Sequence, residues 1–317
     1  MKIAFTSCMS TTVFPDQPVW DHIKAQQPDH LLLTGDSIYI DTPPYAVHPK
    51  TMSDDAFMQH VHERYTALLA QPQFAALVKS VPTEAIWDDH DFLWNEAYAE
   101  QAVAKKIYAG HVRASRALFN AYCRSLRAKL TTGSFPALYN DALLWKSDEP
   151  APIYRCKELG AGVALHLTDG RSQRRKSTLL GSQQRQEIAA KMASLPPNTV
   201  HLLASGSVVE AHKGDHWGSF EDYAWLLALA QQYKIVVLSG DIHENAFNTI
   251  ALPGGKFLFE ATASGAAICL LVNLLSPRQN YGLLELSPEQ LQISLFSFGQ
   301  LNQGKVWRID RKHWRLV

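Results

Sequence analysis

The stretch DHLLLTGDSIYID, Asp29 to Asp41, decides the reading of this chain. Its apolar core, Leu31-Leu32-Leu33, has the continuous pattern of a strand buried on both faces. Polar chemistry begins only after Thr34-Gly35, with Asp36, Tyr39 and Asp41. Gly35 permits a sharp turn there. In an open α/β sheet, groups just past the carboxyl end of a strand face the ligand crevice. An acid at that place, followed three residues later by a phenol, suits the holding of a hard cation.

The same arrangement recurs along the chain. Lys2 to Ser7 reads as a strand that ends at Cys8, and Asp16 to Gln26 as a short helix leading into the Leu31 strand. Strand, helix, strand in so few residues is a βαβ unit, which makes the two strands parallel neighbours and brings Cys8 beside Asp36. Ser53 is placed as the N-cap of a helix from Asp54 to Ala70, whose apolar stripe runs through Phe57, Val61, Tyr65 and Leu68. Helix continues over Phe74 to Lys79 and stops at Pro82. Glu84 to Trp87 is a third strand ending in Asp88-Asp89-His90-Asp91, with Asn95 beyond, and Glu96 to Lys129 is mostly helical.

Further strands are expected at Leu138–Trp145, Ile153–Cys156, Gly162–Leu167, Val200–Ala204 and Lys234–Leu238. Others follow at Phe247–Leu252, Lys256–Ala261, Gly282–Leu286, Leu291–Phe298 and Lys305–Ile309. Helices are expected over Ser182–Met192 and Phe220–Gln232. The Gly162 strand leads into Asp169 and Arg171, and the Lys234 strand into Asp241 and His243. Five strand ends thus carry polar sets. Carboxylates, imidazole, thiol and phenol gathered at one sheet edge suit one or two metal ions. A carboxylate such as Asp36 can bridge two cations that clamp an in-line phosphoryl displacement. Arg171, Arg174 and Arg175 would meet phosphate oxygens with planar paired donors.

Composition narrows the field. The 317 residues are 46% hydrophobic and 19% charged with formal net charge +0, so there is no electrostatic footprint for nucleic acid or a membrane surface. Cys8, Cys123, Cys156 and Cys269 show no CxxC spacing. The longest apolar run, Ala266 to Leu275, is shorter than the ~18 residues of a membrane span. The amino terminus enters a strand directly, without the charged and apolar regions of a signal peptide. The expectation is a cytoplasmic protein of one domain, 1–317, with a mostly helical insertion in 42–130.

The segments TSCMS, LLLTGDSIYID, AIWDDHDFLWN, LTDGRSQR, LLGSQQRQEI, DHWGSFEDY and VVLSGDIHEN follow one another from Ser7 to Asn245. In this order they resemble the alkaline phosphatase D (PhoD-like) family of the calcineurin-like metallophosphoesterase superfamily. The resemblance implies an α/β fold, a four-layer α/β/β/α sandwich of two packed mixed sheets flanked by helices. It implies hydrolysis of a small-molecule phosphomonoester or phosphodiester at a dinuclear metal site with a metal-bound hydroxide nucleophile. On these residues it makes Asp36 the bridging carboxylate and puts Cys8, Tyr39 and His243 on one metal, ferric iron. Asp89 and Asp241 fall to the second metal, calcium in the similar family. His90 takes the place of the general acid, and Arg171, with Asn95, that of the substrate contacts.

The chain also departs from the pattern. An isolated His ligand of the superfamily has only His201, His212 or His216 as counterparts. The family's export signal and extra N-terminal domain are not seen, and in a cytoplasmic setting magnesium or manganese would fill an oxygen-rich site in place of calcium. Two other functions compete. One is a catalytically decayed metal- or phospholigand-binding protein on the same fold. The other is a thiol hydrolase with Cys8 as nucleophile and His90 or His243 as base. Substrate and oligomeric state have no signature in the sequence.

Overall fold

Leu31, Leu32 and Leu33 lie in β2 (His30–Thr34), and the three side chains divide between two cores. Leu31 and Leu33 face a layer of helices, while Leu32 joins Ile3, Phe5 and Ile86 against a second sheet. A strand covered on both faces needs apolar residues at every position, which is why the run does not alternate. Each such leucine contributes about 1.5–3 kcal/mol of burial. The computed structural model describes residues 1–141, 154–210, 215–268, 278–297 and 305–317.

The first sheet contains β1 (Lys2–Thr6), β2, β3 (Thr83–Ile86), β10 (Asn280–Leu286), β11 (Gln290–Ser297), β12 (Lys305–Asp310) and β13 (Arg315–Leu316), in the order β13-β12-β11-β10-β1-β2-β3. β1, β2 and β3 are parallel, and the C-terminal strands meander antiparallel from β1 outward. The second sheet contains β4 (Arg155–Gly160), β5 (Val163–Leu167), β6 (Val200–Ser205), β7 (Lys234–Ser239), β8 (Asn245–Leu252) and β9 (Lys256–Ala263), in the order β4-β5-β6-β7-β9-β8. Its inner four strands are parallel and its edge strands β4 and β8 antiparallel.

Helices complete the outer layers. Against the first sheet pack α1 (Val19–Ala25), α2 (Asp54–Ala70), α3 (Pro72–Ser80) and α6 (Ala109–Arg127). The short α4 (Asp89–Phe92) and α5 (Ala99–Ala104) lie between them. Ser53 caps α2 as expected, its Oγ accepting from Ala56 N at 3.2 Å, and Tyr65 of α2 stacks on Tyr122 of α6 at 4.7 Å. Against the second sheet pack α7 (Gly181–Ser194) and α8 (Asp222–Ala230), through Ile188, Met192, Leu226 and Leu229. The architecture is the expected four-layer α/β/β/α sandwich. The helical stretch 42–130 supplies most of one outer layer, with β3 threaded through it.

Local expectations fail in a few places. Leu138 to Asp141 form a turn instead of opening a strand, and the remainder of that expected strand lies outside the described residues. The strand expected from Ile153 begins at Arg155 and runs on to Gly160, where a β-bulge and Gly160 at φ 84° let it turn into β5. α1 begins only at Val19, because Pro15 and Pro18 hold the preceding segment out of the helix. Cys269 and the end of the Ala266–Leu275 run also lie outside the described residues. Among the described residues no helix is long and apolar enough to cross a membrane.

The two sheets meet at the carboxyl ends of their parallel strands. Beyond β1, β2, β3, β6, β7 and β9 come Ser7, Gly35, Trp87, Gly206, Gly240 and Ser264. The contact there is so close that a Cβ on Gly240 would stand 2.6 Å from the Thr34 carbonyl and 2.7 Å from Ser7 Oγ. After β9, the amides of Gly265 and Ala266 donate to Ser7 O at 3.1 and 2.8 Å, crossing from one sheet to the other. One shared edge results, and the polar turns open onto it.

Candidate metal centre

Four of the turn residues at this edge hold left-handed backbone without being glycine: Cys8 (φ 61°), Asp36 (φ 50°), Asp241 (φ 72°) and His243 (φ 57°). That conformation costs an L-residue about 1–2 kcal/mol, and the surrounding packing must supply it. Such strain concentrates where side chains have to be aimed. Here all four side chains converge.

Asp36 is the hub. Cys8 Sγ donates to its Oδ2 at 3.3 Å and the His90 amide to its Oδ1 at 3.3 Å. Ligand atoms of Asp36, Asp89 and His90 lie within 4.8 Å of one another, as do those of Asp36, Asp88, Asp89 and Asp241. On the other side of Asp36, Tyr39 Oη meets His243 Nε2 at 3.0 Å, and the Tyr39 ring lies 4.3 Å from that of His90. The sequence-derived set Cys8, Asp36, Tyr39, Asp89, His90, Asp241 and His243 is therefore brought together. Cys8, Tyr39 and His243 join through pairwise contacts, more loosely than the carboxylates join each other.

Electrostatics mark the cluster as short of positive charge. Burial, with the Cys8 thiol and the Asp89 and Asp88 carboxylates, raises Asp36 well above the usual carboxylate range. Burial, with Asp88 and Asp89, does the same to Asp241. Asp88 is pushed up to about 6, mainly by burial, against the pull of Arg171. Burial lifts Cys8 to about 11 and Tyr39 well above its ordinary value. Burial also depresses His243 to about 4, with the charge of His90 adding to it, so its imidazole is held neutral, as a ligand must be. Asp88 Oδ2 is buried with no hydrogen-bond partner. An orphan carboxylate oxygen among buried acids fits a cation, whose charge offsets their desolvation.

His90 and its neighbours divide their tasks, with Asp88 and Asp91 forming a capping box at the start of α4. Asp91 serves structure: its Oδ1 and Oδ2 accept from the amides of Ile38 and Asp88 at 3.0 and 3.2 Å. Asp88 accepts from Arg171 Nε at 2.6 Å. The imidazole is held by Asp41, whose Oδ1 lies 2.6 Å from Nδ1. Burial opposes a charge on His90, yet Asp89, Asp41 and Asp36 outweigh it and raise the group well above its ordinary value. Asp41 stands in the very stretch that decides the fold, but nothing local connects it to His90.

Of the expected substrate contacts, Arg171 is 1% exposed. Its guanidinium is taken by Asp88 and by Asp215, with Nη1 3.2 Å from Asp215 Oδ2. Asp169 does not pair with it. Asp169 Oδ1 accepts instead from Trp87 Nε1 at 2.8 Å and from the amides of Ser172 and Arg171 at 2.8 and 3.0 Å. Asn95 is exposed, and its amide donates to Asp41 Oδ2 at 2.9 Å. Arg174 and Arg175 line a cavity set off from the acids. Neither described candidate for the extra His ligand joins the cluster. His201 Nδ1 meets His166 Nε2 at 2.9 Å, and His216 meets Ser219 Oγ at 3.0 Å. His212 lies outside the described residues. Gly206, at the end of β6, instead packs directly on the Asp88 carboxylate. Sequence reasoning missed Ser264, whose Oγ meets Cys8 Sγ at 3.2 Å and accepts from the His243 amide at 2.9 Å.

Two mixed sheets bring acids, imidazole and thiol to one shared edge, the fold and donor set of a site able to hold cations. The family profile of the PhoD-like phosphatases matches residues 3–269, and the chain belongs to that family. It is a metal-dependent phosphoesterase by class. The solved structure of PhoD is similar over 100% of this chain and 71% of its own, at 17% identity and a TM-score of 0.67. A dimetal phosphatase from Danio rerio is similar over 98% of this chain and 99% of its own, at 10% identity and a TM-score of 0.54. No curated protein matches the sequence.

Proposed function

We propose that this protein hydrolyses a small-molecule phosphoester, mono- or diester, at two cations that share Asp36. The observation that carries the reading is the position of Asp36, inside both groupings of ligand atoms and accepting from the Cys8 thiol through Oδ2. Cys8, Tyr39 and His243 would hold one ion. Thiolate and phenolate favour ferric iron there. Asp89 and Asp241, with Asp88 beside them, would hold a harder cation, calcium, magnesium or manganese. Cations at these positions supply an acidified water as nucleophile and offset phosphoryl charge.

The chain's own residues do the rest. Arg171 is assigned the role of holding Asp88 ionised and in place, a positioning task in keeping with its burial, and Asn95 remains the proposed substrate-facing group. His90 delivers a proton to the leaving oxygen. Its Nδ1–H donates to Asp41, which leaves Nε2 to carry the transferred proton. Its side chain is 14% exposed, enough to meet a substrate at the mouth of the site. We read residues 1–317 as one such domain, supported by the core the two sheets share. A cytoplasmic setting goes with it, supported by Cys8, Cys123 and Cys156 being free thiols.

The test is metal content by mass spectrometry together with turnover of p-nitrophenyl phosphate and bis(p-nitrophenyl) phosphate. Two metals per chain and hydrolysis of either ester, abolished by chelator, is the expected result. Metal uptake without turnover would move the protein to the decayed binders. Turnover that survives chelator and fails on alkylation would make Cys8 the nucleophile.

A further inference from the structure

Beside the centre, and separate from it, lies a cavity of about 660 Å³ between α5, α6, the 172–178 loop and the first turn of α7. Four arginines line it, Arg116, Arg174, Arg175 and Arg185, against one acid, Glu100. Arg185 is paired with Asp222 at 3.3 Å and Arg174 with Asp215. Arg116, within the field of the Asp169 carboxylate, and the exposed Arg175 make no direct ion pair among the described residues. Nε of Arg116 and Nε of Arg174 are buried and unpartnered, and Arg174 is 7% exposed. Its guanidinium is fixed over Tyr98 and Phe220, 4.6 and 5.0 Å from the ring centroids. α7, 14 residues long, starts into the cavity without a side-chain cap on its first turn.

A buried donor without an acceptor is costly, and partial burial lowers Arg116 from its ordinary value against the opposing charge of Asp169. Planar paired donors around an uncapped helix start match phosphate oxygens. The volume is that of a ligand site, far more than one water needs. The cavity is also mechanically joined to the centre. Arg174 and Arg171 grip the same carboxylate, Asp215, and Arg171 grips Asp88 of the acidic cluster.

We propose that this cavity is a second anion subsite, taking a phosphate group carried by the substrate beyond the ester that is cleaved. The substrate class is then a small molecule with at least two phosphate groups. This rests on the phosphoesterase reading of the neighbouring centre, and two measurements separate them.

The first is equilibrium dialysis of inorganic phosphate against chelator-stripped protein, its fold checked by thermal melting. Wild type should bind phosphate saturably, Arg116→Gln should bind about tenfold more weakly, as loss of one charged hydrogen-bonding group implies, and the Arg116→Gln/Arg175→Gln double variant should not bind. The second is kcat/KM of the metal-loaded enzyme on 1,6-hexanediol bisphosphate and on its monophosphate. Wild type should prefer the bisphosphate by about tenfold or more, and Arg116→Gln should lose that preference with monophosphate turnover unchanged. Absent phosphate binding, or binding indifferent to both substitutions, overturns the subsite. Sensitive binding without a bisphosphate preference assigns the cavity to free phosphate and overturns the substrate class. Sensitive binding with no turnover of either compound overturns the phosphoesterase reading while the anion site stands.

Discussion

Asp41 and His90, 49 residues apart, are joined at 2.6 Å through the Nδ1 edge of the imidazole. The contact fixes which ring nitrogen carries the structural proton and which is left for chemistry. Asp41 is held in turn by the Asn95 amide, so the ring is aimed by a carboxylate that is itself anchored.

Asp41→Asn should therefore lower kcat by about 10–100-fold, the usual effect of removing such an orienting group, with KM nearly unchanged. The sign of the pH effect follows from the charge removed. Asp41 helps raise His90; without it the imidazolium deprotonates at lower pH, and the alkaline limb of the kcat profile moves down. A pH profile of the variant that overlays wild type would remove Asp41 from the mechanism. His90→Asn should cost about 10²–10⁴-fold, least for leaving groups that need no proton, while metal content stays intact.

Metal occupancy should follow the two sides of Asp36. Cys8→Ser should release the ion on the Tyr39 side only, Asp241→Asn the ion among the carboxylates, and Asp36→Asn both. Mass spectrometry of the purified variants reads this directly. An Asp36→Asn protein that keeps a full metal complement would break the shared-ligand assignment.

Close approach at the sheet junction makes Gly240 intolerant of a side chain. The nearest atoms to a new Cβ are the Thr34 carbonyl and the Ser7 hydroxyl, 2.6 and 2.7 Å away, and the carbonyl belongs to backbone that cannot rotate aside. Gly240→Ala should cost about 1–3 kcal/mol, as overpacking does. Gly170→Ala, whose Cβ would meet only the Leu179 side chain, at an ordinary 3.5 Å and beyond, is the control. Equal denaturant midpoints for the two variants would contradict the account.

Stability should fall in mild acid because of a buried chain of neutral rings behind the second sheet. Tyr154 Oη meets His166 Nδ1 at 2.7 Å, and His166 Nε2 meets His201 Nδ1 at 2.9 Å. Burial, and next the charge of His201, press His166 down to about 3, whereas an unfolded histidine titrates near 6.5. Between those values the unfolded chain takes up the proton and the folded one does not. The contribution is complete above pH 6.5 and is lost on acidification at about 1.4 kcal/mol per pH unit. Urea melts at pH 7, 6 and 5 should show a shallower loss in His166→Gln than in wild type.

What the sequence by itself determined is local. Leu31 to Leu33 had to be buried on both faces, Ser53 had to start a helix, and acids, imidazole and thiol had to follow strand ends, because apolar period, caps and turns act over a few residues. The motifs from Ser7 to Asn245 carried the family, and the sandwich with it. Tertiary structure alone decided the partners. Arg171 is turned inward onto Asp88 and Asp215, residues 83 and 44 positions away. Asp41, 49 positions away, orients His90. The arginines 174 and 175 line their own cavity instead of joining the acids. Each of these is a choice among several chemically equivalent partners. Only packing, by fixing which buried charges stand within reach of one another, makes that choice.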